Sequence, residues 1–438
     1  MTCFLFCCLA KHGCWSFLKG GFELDSPSSY TLLYFQNSDG RDMNISVSSA
    51  SLQPFTRDQW RENQQYIINT EARCDDTCIR FKGKEAASYK TLTLPLFYSQ
   101  QEQDLMVFFK CQQWFIKRFN TAVFEDELKW YSTEPQPGKI NYTIPEKMMD
   151  FVRANQISAR GHNIFWENPI FVPSWVLNLT GPQLSAAVHS RIQTLMDNFK
   201  NDFIHWDVDN EMLHYNFYEE RLGPNASLEF FQTVQGADPL AKLFVNDYNV
   251  VESCDDMNSS VDAYIAKLSE LQQGGVTMAG IGLEGHFTVP NPPLIRATLD
   301  KLAILNLPIW LTEVDISKTL DEQTQAKYLE VVLREGFSHP AVNGIMLWTA
   351  LHPYGCYQMC LTDQNFRNLP AGDIVDELLK EWQTEKMEGQ TDTHGSFSFY
   401  GFLGEYKLTV NYGNRTANST FSLCRGDETR HLYISLQN

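Results

Sequence analysis

The sequence contains no run of 18 or more apolar residues, which excludes a membrane-spanning helix. Basic residues are also scarce: 35 Lys and Arg stand against 53 Asp and Glu, giving a formal net charge of −18 at pH 7. Because a phosphate backbone selects a basic protein face, this charge argues against DNA or RNA as a partner. The remaining composition, 43% hydrophobic and 20% charged residues, is typical of a globular protein. A neutral or weakly charged polymer is the partner that this balance favours.

A complete zinc-binding pattern of cysteines and histidines is missing. Eleven cysteines are an odd number, so at least one thiol stays unpaired if the others form disulfides. Cys74-x-x-x-Cys78 and Cys356-x-x-x-Cys360 each resemble half of a zinc site, but neither has a second Cys/His pair at finger-like spacing. The sequence therefore predicts no bound metal and no cofactor.

A strong signal peptide is missing as well. The opening MTCFLFCCLA has an apolar run but no basic residue before it, so we expect that the true N-terminus lies upstream. Glycosylation sequons nevertheless point to the secretory route, because seven Asn-x-Ser/Thr triplets lack a central Pro. These triplets begin at Asn44, Asn141, Asn178, Asn225, Asn258, Asn414 and Asn418. We therefore predict a secreted glycoprotein of the extracellular space or cell wall.

Along the 438 residues, four regions differ in composition and in the pattern of apolar residues. Residues 1–70 are polar and β-leaning, and residues 71–112 predict an atypical linker. Residues 113–383 alternate short apolar runs with amphipathic stretches at intervals of roughly 35 to 40 residues, the rhythm of βα units in a parallel barrel. Residues 390–438 alternate apolar and polar side chains between glycines and predict a small antiparallel β-appendage. The predicted fold class is therefore α/β: a (β/α)8 barrel, which needs about 250 residues, with appendages.

Seven strands of that barrel can be placed by their apolar runs. They are Phe119–Phe124, Ile157–Phe165, Phe203–Val208, Leu243–Asp247, Ala279–Phe287, Pro308–Val314 and Asn343–Trp348. Helical patterns between them cover Pro145–Ala154, Gly181–Asn198, Asn258–Gln272, Pro293–Leu305 and Asp321–Phe337.

Polar or aromatic residues recur at the C-terminal end of each predicted strand. In order, they are Glu125, Asp126 and Lys129; His162 and Trp166; Asn210 and Glu211; Asn246 and Asp247; Glu284 and His286; Glu313 and Asp315; and Trp348. In a (β/α)8 barrel this end carries the active site, whereas the other end is structural. A pocket lined by these residues is therefore expected.

Two of these carboxyl groups suit the cleavage of a glycosidic bond, which needs one protonated acid and one ionised carboxylate on opposite sides of the anomeric carbon. Glu211 and Glu313 end strands that are three barrel strands apart, so they are expected to face each other across the mouth. A carboxyl group buried beside another has its pKa raised, and this keeps one of the two protonated near neutrality. We predict Glu211 as acid/base and Glu313 as nucleophile.

The other rim residues have supporting roles in this hypothesis. Asn210 offers an amide to a sugar hydroxyl, while His286 is expected to bond the Glu313 carboxylate and Asp315 to fix the imidazole tautomer. The residues predicted to bind the substrate are Glu125, Asp126, Lys129, His162, Trp166, Asn210, Glu284, His286 and Trp348. Trp206 and Trp310 lie deeper in their strands and are interpreted as core.

Six motifs in order resemble those of glycoside hydrolase family 10. They are Phe119-Asn-…-Glu125-Asp-Glu-Leu-Lys-Trp130, Arg160-Gly-His-Asn-Ile-Phe-Trp166, Trp206-Asp-Val-Asp-Asn-Glu211, Asn246-Asp-Tyr-Asn249, Gly280-Ile-Gly-Leu-Glu-Gly-His286 and Leu311-Thr-Glu-Val-Asp315. The segment Gly344-Ile-Met-Leu-Trp-Thr-Ala-Leu-His-Pro is most similar to the corresponding segment of plant members. The resemblance implies a retaining endo-1,4-β-xylanase acting on cell-wall xylan. We separately expect a monomer. The resemblance also implies that residues 1–70 are a truncated remnant of a carbohydrate-binding module.

The sequence departs from the family pattern at three site positions. Asp126 stands where the family usually has Asn, and Glu284 stands where many members have Gln, which adds a third carboxylate near the nucleophile. The family's second tryptophan after strand eight is replaced around Cys356 and Tyr357.

The first barrel strand is a fourth departure, because no segment between residues 71 and 112 matches the family's short strand. Two alternatives follow. Leu105–Phe109 substitutes as strand one and closes the barrel, or the segment is a defect of translation or splicing and the protein folds poorly.

Three functions therefore compete. The first is a retaining xylanase. The second is a catalytically impaired polysaccharide-binding protein on the same barrel. The third is a related glycosidase or transglycosylase acting on another β-1,4 glycan. Metal-dependent hydrolysis is disfavoured because no metal site is predicted.

Overall fold

A computed structural model of the protein describes residues 17–24, 46–71, 73–74, 91–96, 112–349, 355–384, 387–392, 394–399, 401–402, 404–423 and 432–434. These residues form a closed parallel barrel and two short antiparallel pairings. No helix among them is long and apolar enough to cross a membrane.

The barrel has eight parallel strands in sequential order. They are β1 (Thr91–Leu96), β2 (Thr121–Phe124), β3 (Ser158–Trp166), β4 (His205–Asn210), β5 (Lys242–Asp247), β6 (Met278–Phe287), β7 (Ile309–Ile316) and β8 (Val342–Leu347). β1 closes the ring, with Thr93 opposite Thr121 of β2 and Thr91 opposite Gly344 of β8. This architecture confirms the predicted fold class.

Helices surround and link these strands. They are α1 (Arg57–Glu71), α2 (Trp130–Thr133), α3 (Thr143–Ala154), α4 (Gly181–Phe199), α5 (Glu219–Leu222), α6 (Ala226–Ala237), α7 (Val261–Gln273), α8 (Pro292–Ala303), α9 (Glu322–Ser338) and α10 (Pro370–Glu381). Side-chain caps start several of them: Asp321 accepts backbone N–H bonds from Gln323 and Thr324, and Ser260 accepts one from Ala263.

The strands are buried almost throughout, because helices cover one face and the barrel interior the other. All eight residues of β7 are buried, for example. Glycine makes room for tryptophan on both faces of the sheet. A Cβ at Gly161 would lie 2.3 Å from the Trp206 ring on the face towards the helices, and one at Gly344 would lie 2.4 Å from the Trp310 ring inside the barrel. Trp206 and Trp310 are buried, as expected of core residues.

A charged group also lies inside the barrel. The Arg160 guanidinium donates to Asp207 Oδ1 (2.5 Å) and to His205 Nδ1 (3.3 Å). His162 Nδ1 donates to the second Asp207 oxygen at 3.0 Å. Because a buried charge is tolerated only when it is paired, this chain of contacts fixes the orientation of His162, which points towards the C-terminal end of the barrel.

The first strand corrects the sequence-based expectation. Residues 71–112 were expected to hold only a linker, or a substitute strand at Leu105–Phe109; the barrel's first strand is instead Thr91–Leu96. Leu105–Phe109 lies outside the described residues. The predicted barrel limits of 113–383 therefore begin too late, and the barrel needs no substitute strand.

The N-terminal region also differs from its prediction. No strand occurs in the described part of residues 1–70; Arg57–Glu71 form α1. Gln64 and Ile68 are buried one turn apart on this helix. Trp60 Nε1 and Gln64 Nε2 both donate to Glu335 of α9, at 2.9 and 2.6 Å, so α1 docks on the barrel's helical layer. The segment Tyr30–Gln36 lies outside the described residues.

Two antiparallel pairs lie in the C-terminal region. A hairpin joins β9 (Gly404–Tyr412) and β10 (Arg415–Leu423) through Gly413 and Asn414. The two-residue pair Gly401–Phe402 meets Arg73–Cys74. The hairpin agrees with the antiparallel appendage expected there.

Candidate active site

The C-terminal ends of the barrel strands bring the predicted carboxyl groups to one mouth. Glu313 lies within β7, and Glu211 directly follows β4. Glu211 has φ +58°, in the left-handed region that side chains larger than glycine rarely occupy. Its N–H donates to Asn246 O at 3.0 Å, and its carbonyl accepts from His214 N at 3.1 Å. These bonds hold a strained backbone in place, a feature that clusters at functional sites.

Glu313 is surrounded by donors. Asn246 Nδ2 donates to Glu313 Oε1 at 3.0 Å, and His162 Nε2 lies 3.8 Å from the same oxygen. His286 Nε2 lies 3.5 Å from the other oxygen. Burial opposes ionisation, but hydrogen bonding to His286 and the charges of His162, His286 and Lys129 outweigh it and hold the pKa of Glu313 below its usual range. Glu313 is therefore ionised.

Glu211 has the opposite environment. It is 8% exposed, and burial raises its pKa to about 7. The nearby Trp166 indole N–H opposes this rise, while the charges of Asp247 and Glu313 add to it. Two carboxyl groups of one pocket thus have pKa values displaced in opposite directions, the arrangement that separates an acid from a nucleophile.

His286 links the nucleophile candidate to a third carboxylate. Its Nδ1 donates to Asp315 Oδ2 at 2.9 Å, which turns Nε2 towards Glu313. Burial lowers the pKa of His286, but hydrogen bonds to Asp315, Glu284 and Glu313 outweigh it and raise that pKa well above the ordinary value. The imidazolium therefore stabilises the ionised form of Glu313.

Glu284 lies beside Glu313 across neighbouring strands. It accepts from Asn246 Nδ2 at 2.9 Å, and its other oxygen lies 3.5 Å from His286 Nε2. Burial, followed by the charge of Glu313, raises the pKa of Glu284 well above its ordinary value. Glu284 is therefore protonated more readily than an ordinary glutamate.

Lys129 connects the other predicted sugar-binding residues. Its Nζ lies 4.5 Å from the ring centroid of Trp166 and 5.8 Å from that of Trp348. Trp348 also meets the His162 ring edge to face at 5.1 Å. These four residues form one continuous wall of the mouth.

Glu125 and Asp126 lie at the edge of that wall. Glu125 is half-buried, and burial together with the charge of Asp126 raises its pKa to about 7. Asp126 is exposed and accepts from Tyr131 Oη. Asn210 lies next to Glu211, and its Oδ1 accepts from Asn246 Nδ2 at 3.0 Å. All predicted site residues thus lie at the same end of the barrel.

Several residues of the mouth received no role from the sequence. Asn246 Nδ2 has acceptors on Asn210, Glu284 and Glu313, which makes it the hub of the polar network. His214 stacks on Tyr248 with ring centroids 3.8 Å apart. Position alone indicated Asn246, which ends an apolar run; nothing in the sequence distinguished His214.

The loop after β8 also differs from the sequence-based interpretation. Cys356 and Cys360 form a disulfide, so this pair is not half of a zinc site. Between them, Tyr357 is 49% exposed, with its ring 5.8 Å from His286. An aromatic ring therefore lies beside the catalytic candidates in the loop where the second tryptophan was expected.

Comparisons with known proteins agree with this geometry. The model of glycosyl hydrolase family 10 matches residues 87–375, a range that includes β1. Endo-1,4-beta-xylanase 1 of Arabidopsis thaliana is 33% identical over 97% of this chain and 45% of its own length. Anti-sigma-I factor RsgI6 of Acetivibrio thermocellus is 41% identical over 72% of this chain and 41% of its own length. The chain thus spans less than half the length of these two relatives.

A solved structure gives the same result for the fold. The crystal structure of native xylanase 10B from Thermotoga maritima aligns with a TM-score of 0.58 and 25% identity. The alignment covers 67% of this chain and 96% of that one.

Proposed function

We propose that this chain, which belongs to glycosyl hydrolase family 10, is a retaining endo-1,4-β-xylanase of cell-wall xylan. The opposite pKa displacements of Glu211 and Glu313 in one barrel mouth are the observation that carries this proposal. A retaining glycosidase needs one protonated and one ionised carboxyl group at the same time. No cofactor enters the mechanism.

The first step forms a covalent glycosyl-enzyme. Glu313, held ionised by His286 and Asn246, attacks the anomeric carbon as the bond to the leaving oxygen breaks. Glu211 donates its proton to that oxygen, which departs as the hydroxyl of the released chain. His286 and Asp315 are positioning residues, since they act on the substrate only through Glu313.

The second step reverses the proton transfer. Glu211, now ionised, removes a proton from water, and the resulting nucleophile attacks the anomeric carbon and releases Glu313. Two inversions at one carbon give net retention. Transfer of the glycosyl group to a sugar hydroxyl instead of water would give longer products, which is the transglycosylase alternative.

Hydroxyls of the sugar on the non-reducing side are proposed to bind to Lys129, His162, Asn210, Glu125 and Asp126. The wall formed by Lys129, Trp166 and Trp348 supports this role, because it combines donors with aromatic surface. Glu284, whose pKa is raised by burial, can when protonated donate a hydrogen bond where a glutamine amide would.

Secretion as a monomeric glycoprotein is also proposed. Six of the seven sequon asparagines lie in the described residues, and all six are exposed and thus accessible to glycosylation. These are Asn141, Asn178, Asn225, Asn258, Asn414 and Asn418.

A catalytically impaired polysaccharide-binding protein is the second candidate. A relative that is 41% identical over 72% of this chain has the name of an anti-sigma factor and not of a xylanase, so the second candidate is tested beside the first. Xylan binding without turnover would be its signature.

The test is reducing-sugar release from glucuronoarabinoxylan by secreted recombinant protein. Glu313→Ala is expected to lose at least about 10³-fold in kcat/KM, as removal of a nucleophile does. Glu270→Ala, at an exposed position of α7, serves as a matched control and is expected to match wild type. A folded wild type that binds xylan without releasing sugar would replace the proposal with the second candidate.

A further inference from the structure

Three carboxylates outside the proposed catalytic pair form a buried cluster. Glu167 directly follows β3, Asp209 lies in β4, and Glu219 begins α5. One oxygen from each residue lies within 4.8 Å of those of the other two. Glu167 and Asp209 are both fully buried, with 0% of their surface exposed. Glu219 is half-buried and connects the cluster to solvent.

The cluster is poor in hydrogen-bond donors. Tyr218 N donates to Glu167 Oε2 at 3.1 Å. Ser227 Oγ lies 2.7 Å from Asp209 Oδ2 and also contacts Glu219 Oε1, but a hydroxyl has only one hydrogen to give. From the described residues, two backbone and hydroxyl hydrogens therefore serve six carboxylate oxygens.

Among the described residues, one buried oxygen of each carboxylate consequently has no partner other than a neighbouring carboxyl group, which can donate only when it is protonated. These atoms are Glu167 Oε1, Asp209 Oδ1 and Glu219 Oε2. An unsatisfied buried acceptor costs free energy of folding, because it has lost its hydrogen bonds to water and gains none in the protein. Each side chain thus keeps at least one oxygen to which no protein N–H or hydroxyl donates.

No basic side chain of the described residues forms an ion pair with the cluster, although the charge of Lys267 acts on Asp209 from a greater distance. Within the part of the chain that the structure describes, no Lys, Arg or His nitrogen lies within 4.0 Å of these three carboxylates. Arg221 is near in sequence but contacts the exposed Glu220 at 3.7 Å. Buried charges of one sign need a cation or bound protons.

We infer that Glu167, Asp209 and Glu219 bind a divalent cation that prefers oxygen ligands, namely Ca²⁺. Two ligands of one Ca²⁺, each about 2.3–2.6 Å from it, cannot lie more than about 4.6–5.2 Å apart, and the observed limit of 4.8 Å fits within this range. Three carboxylates can supply up to six oxygens, and the half-buried Glu219 leaves room for water. Ca²⁺ accepts such irregular sets more readily than Mg²⁺, which demands octahedral geometry.

The position of the cluster gives such an ion a structural consequence. Glu167 adjoins Trp166, and Asp209 precedes Glu211 by two residues. A cation bound to both would tie the ends of β3 and β4 together behind the proposed acid/base. Its binding does not depend on xylanase activity, and so it can be tested without an assay of turnover.

The experiment is Ca²⁺ titration of the full chain after removal of metals with EDTA and dialysis, followed by isothermal calorimetry and by thermal melting. One Ca²⁺ per chain is expected. Its Kd should be about 10⁻³ M or lower, that is, at least as tight as in the weaker extracellular calcium modules. The melting temperature is expected to rise with Ca²⁺ and to rise less with Mg²⁺.

Variants assign the site. Asp209→Asn and Glu219→Gln are expected to weaken Ca²⁺ binding at least tenfold, whereas Glu220→Gln, on the exposed neighbour of Glu219, is expected to leave it unchanged. Glu219 is half-buried, so its variant remains informative if Asp209→Asn fails to fold. Absence of Ca²⁺ binding by wild type would overturn the inference and leave bound protons as the source of neutrality. Binding that Glu219→Gln does not weaken would also overturn it.

Discussion

Glu284 and Glu313 lie opposite each other on β6 and β7 and share one donor: Asn246 Nδ2 lies 2.9 Å from Glu284 Oε1 and 3.0 Å from Glu313 Oε1. Two buried carboxyl groups this close to one amide do not both ionise readily. The pKa of Glu313 is lowered and that of Glu284 is raised, so Glu284 is the more readily protonated of the two. In its protonated form Glu284 has the shape and the donor capacity of a glutamine.

Replacement of Glu284 by Gln is expected to be mild. The amide keeps the size of the protonated carboxyl group and its capacity to donate a hydrogen bond. We predict kcat/KM on xylan within about tenfold of wild type, since each lost or altered hydrogen bond of this kind costs about 1 kcal/mol. A loss of 10³-fold or more in steady-state kinetics would mean that the ionised Glu284 takes part in the reaction.

The pH dependence of kcat/KM is expected to follow Glu211 on its alkaline side. Glycosylation needs Glu211 protonated, and its pKa is about 7, so kcat/KM should fall as pH rises through about 7. Glu211→Ala should lose this limb on an aryl xyloside whose leaving group needs no proton. An alkaline limb that persists unchanged in Glu211→Ala would assign it to another group.

His214 is expected to make stability depend on pH. It donates to Asp247 Oδ1 at 2.5 Å and to Asp256 Oδ2 at 2.9 Å. Burial lowers its pKa, but these two carboxylates outweigh burial and raise it to about 9. The folded pKa lies above the unfolded value of about 6.5. The stabilisation is therefore complete below about pH 6.5 and is lost as pH rises through about 9.

Urea unfolding of His214→Gln at two pH values tests this linkage. We predict a loss of about 1–3 kcal/mol in the free energy of unfolding at pH 6 and a smaller loss at pH 10. Equal losses at both pH values would show that packing against Tyr248, rather than charge, is what His214 contributes.

Two glycines provide a matched test of barrel packing. Gly161→Ala would place its Cβ 2.3 Å from the Trp206 ring, so it should destabilise the protein by about 1–3 kcal/mol. Gly236→Ala, on the exposed side of α6 with nothing within 4 Å, should stabilise it by about 0.5–1 kcal/mol. Thermal melting of both variants checks these predictions. Similar shifts of the two melting temperatures, in the same direction, would contradict them.

Periodicity predicts seven barrel strands well because each is a buried apolar run followed by polar residues. β1 was missed because its six residues, Thr91–Leu96, include Pro95 and no polar rim residue could be identified after them. Its assignment comes from pairing with β2 and β8, which is a property of the closed sheet. α1 was missed for a similar reason, since its contacts with Glu335 join residues more than 250 positions apart.

The catalytic candidates could be predicted because each ends a strand, and strand ends converge. The His286–Asp315 contact could be predicted for the same reason, since the two residues lie near the C-terminal ends of neighbouring strands. The hub role of Asn246 and the cluster of Glu167, Asp209 and Glu219 could not be predicted, because each depends on how side chains from separate strands and helices meet. The prediction of no metal rested on cysteine and histidine spacing, which gives no information on carboxylate sites.

The stereochemistry of the first product tests the central claim, that Glu313 attacks and Glu211 supplies the proton, most directly. Proton NMR of xylo-oligosaccharide hydrolysis, recorded before mutarotation, distinguishes the two anomers of the new reducing end. Double displacement predicts that the β anomer appears first and that Glu313→Ala forms neither. Initial appearance of the α anomer would contradict the account, because it would show that water, and not Glu313, attacks the anomeric carbon.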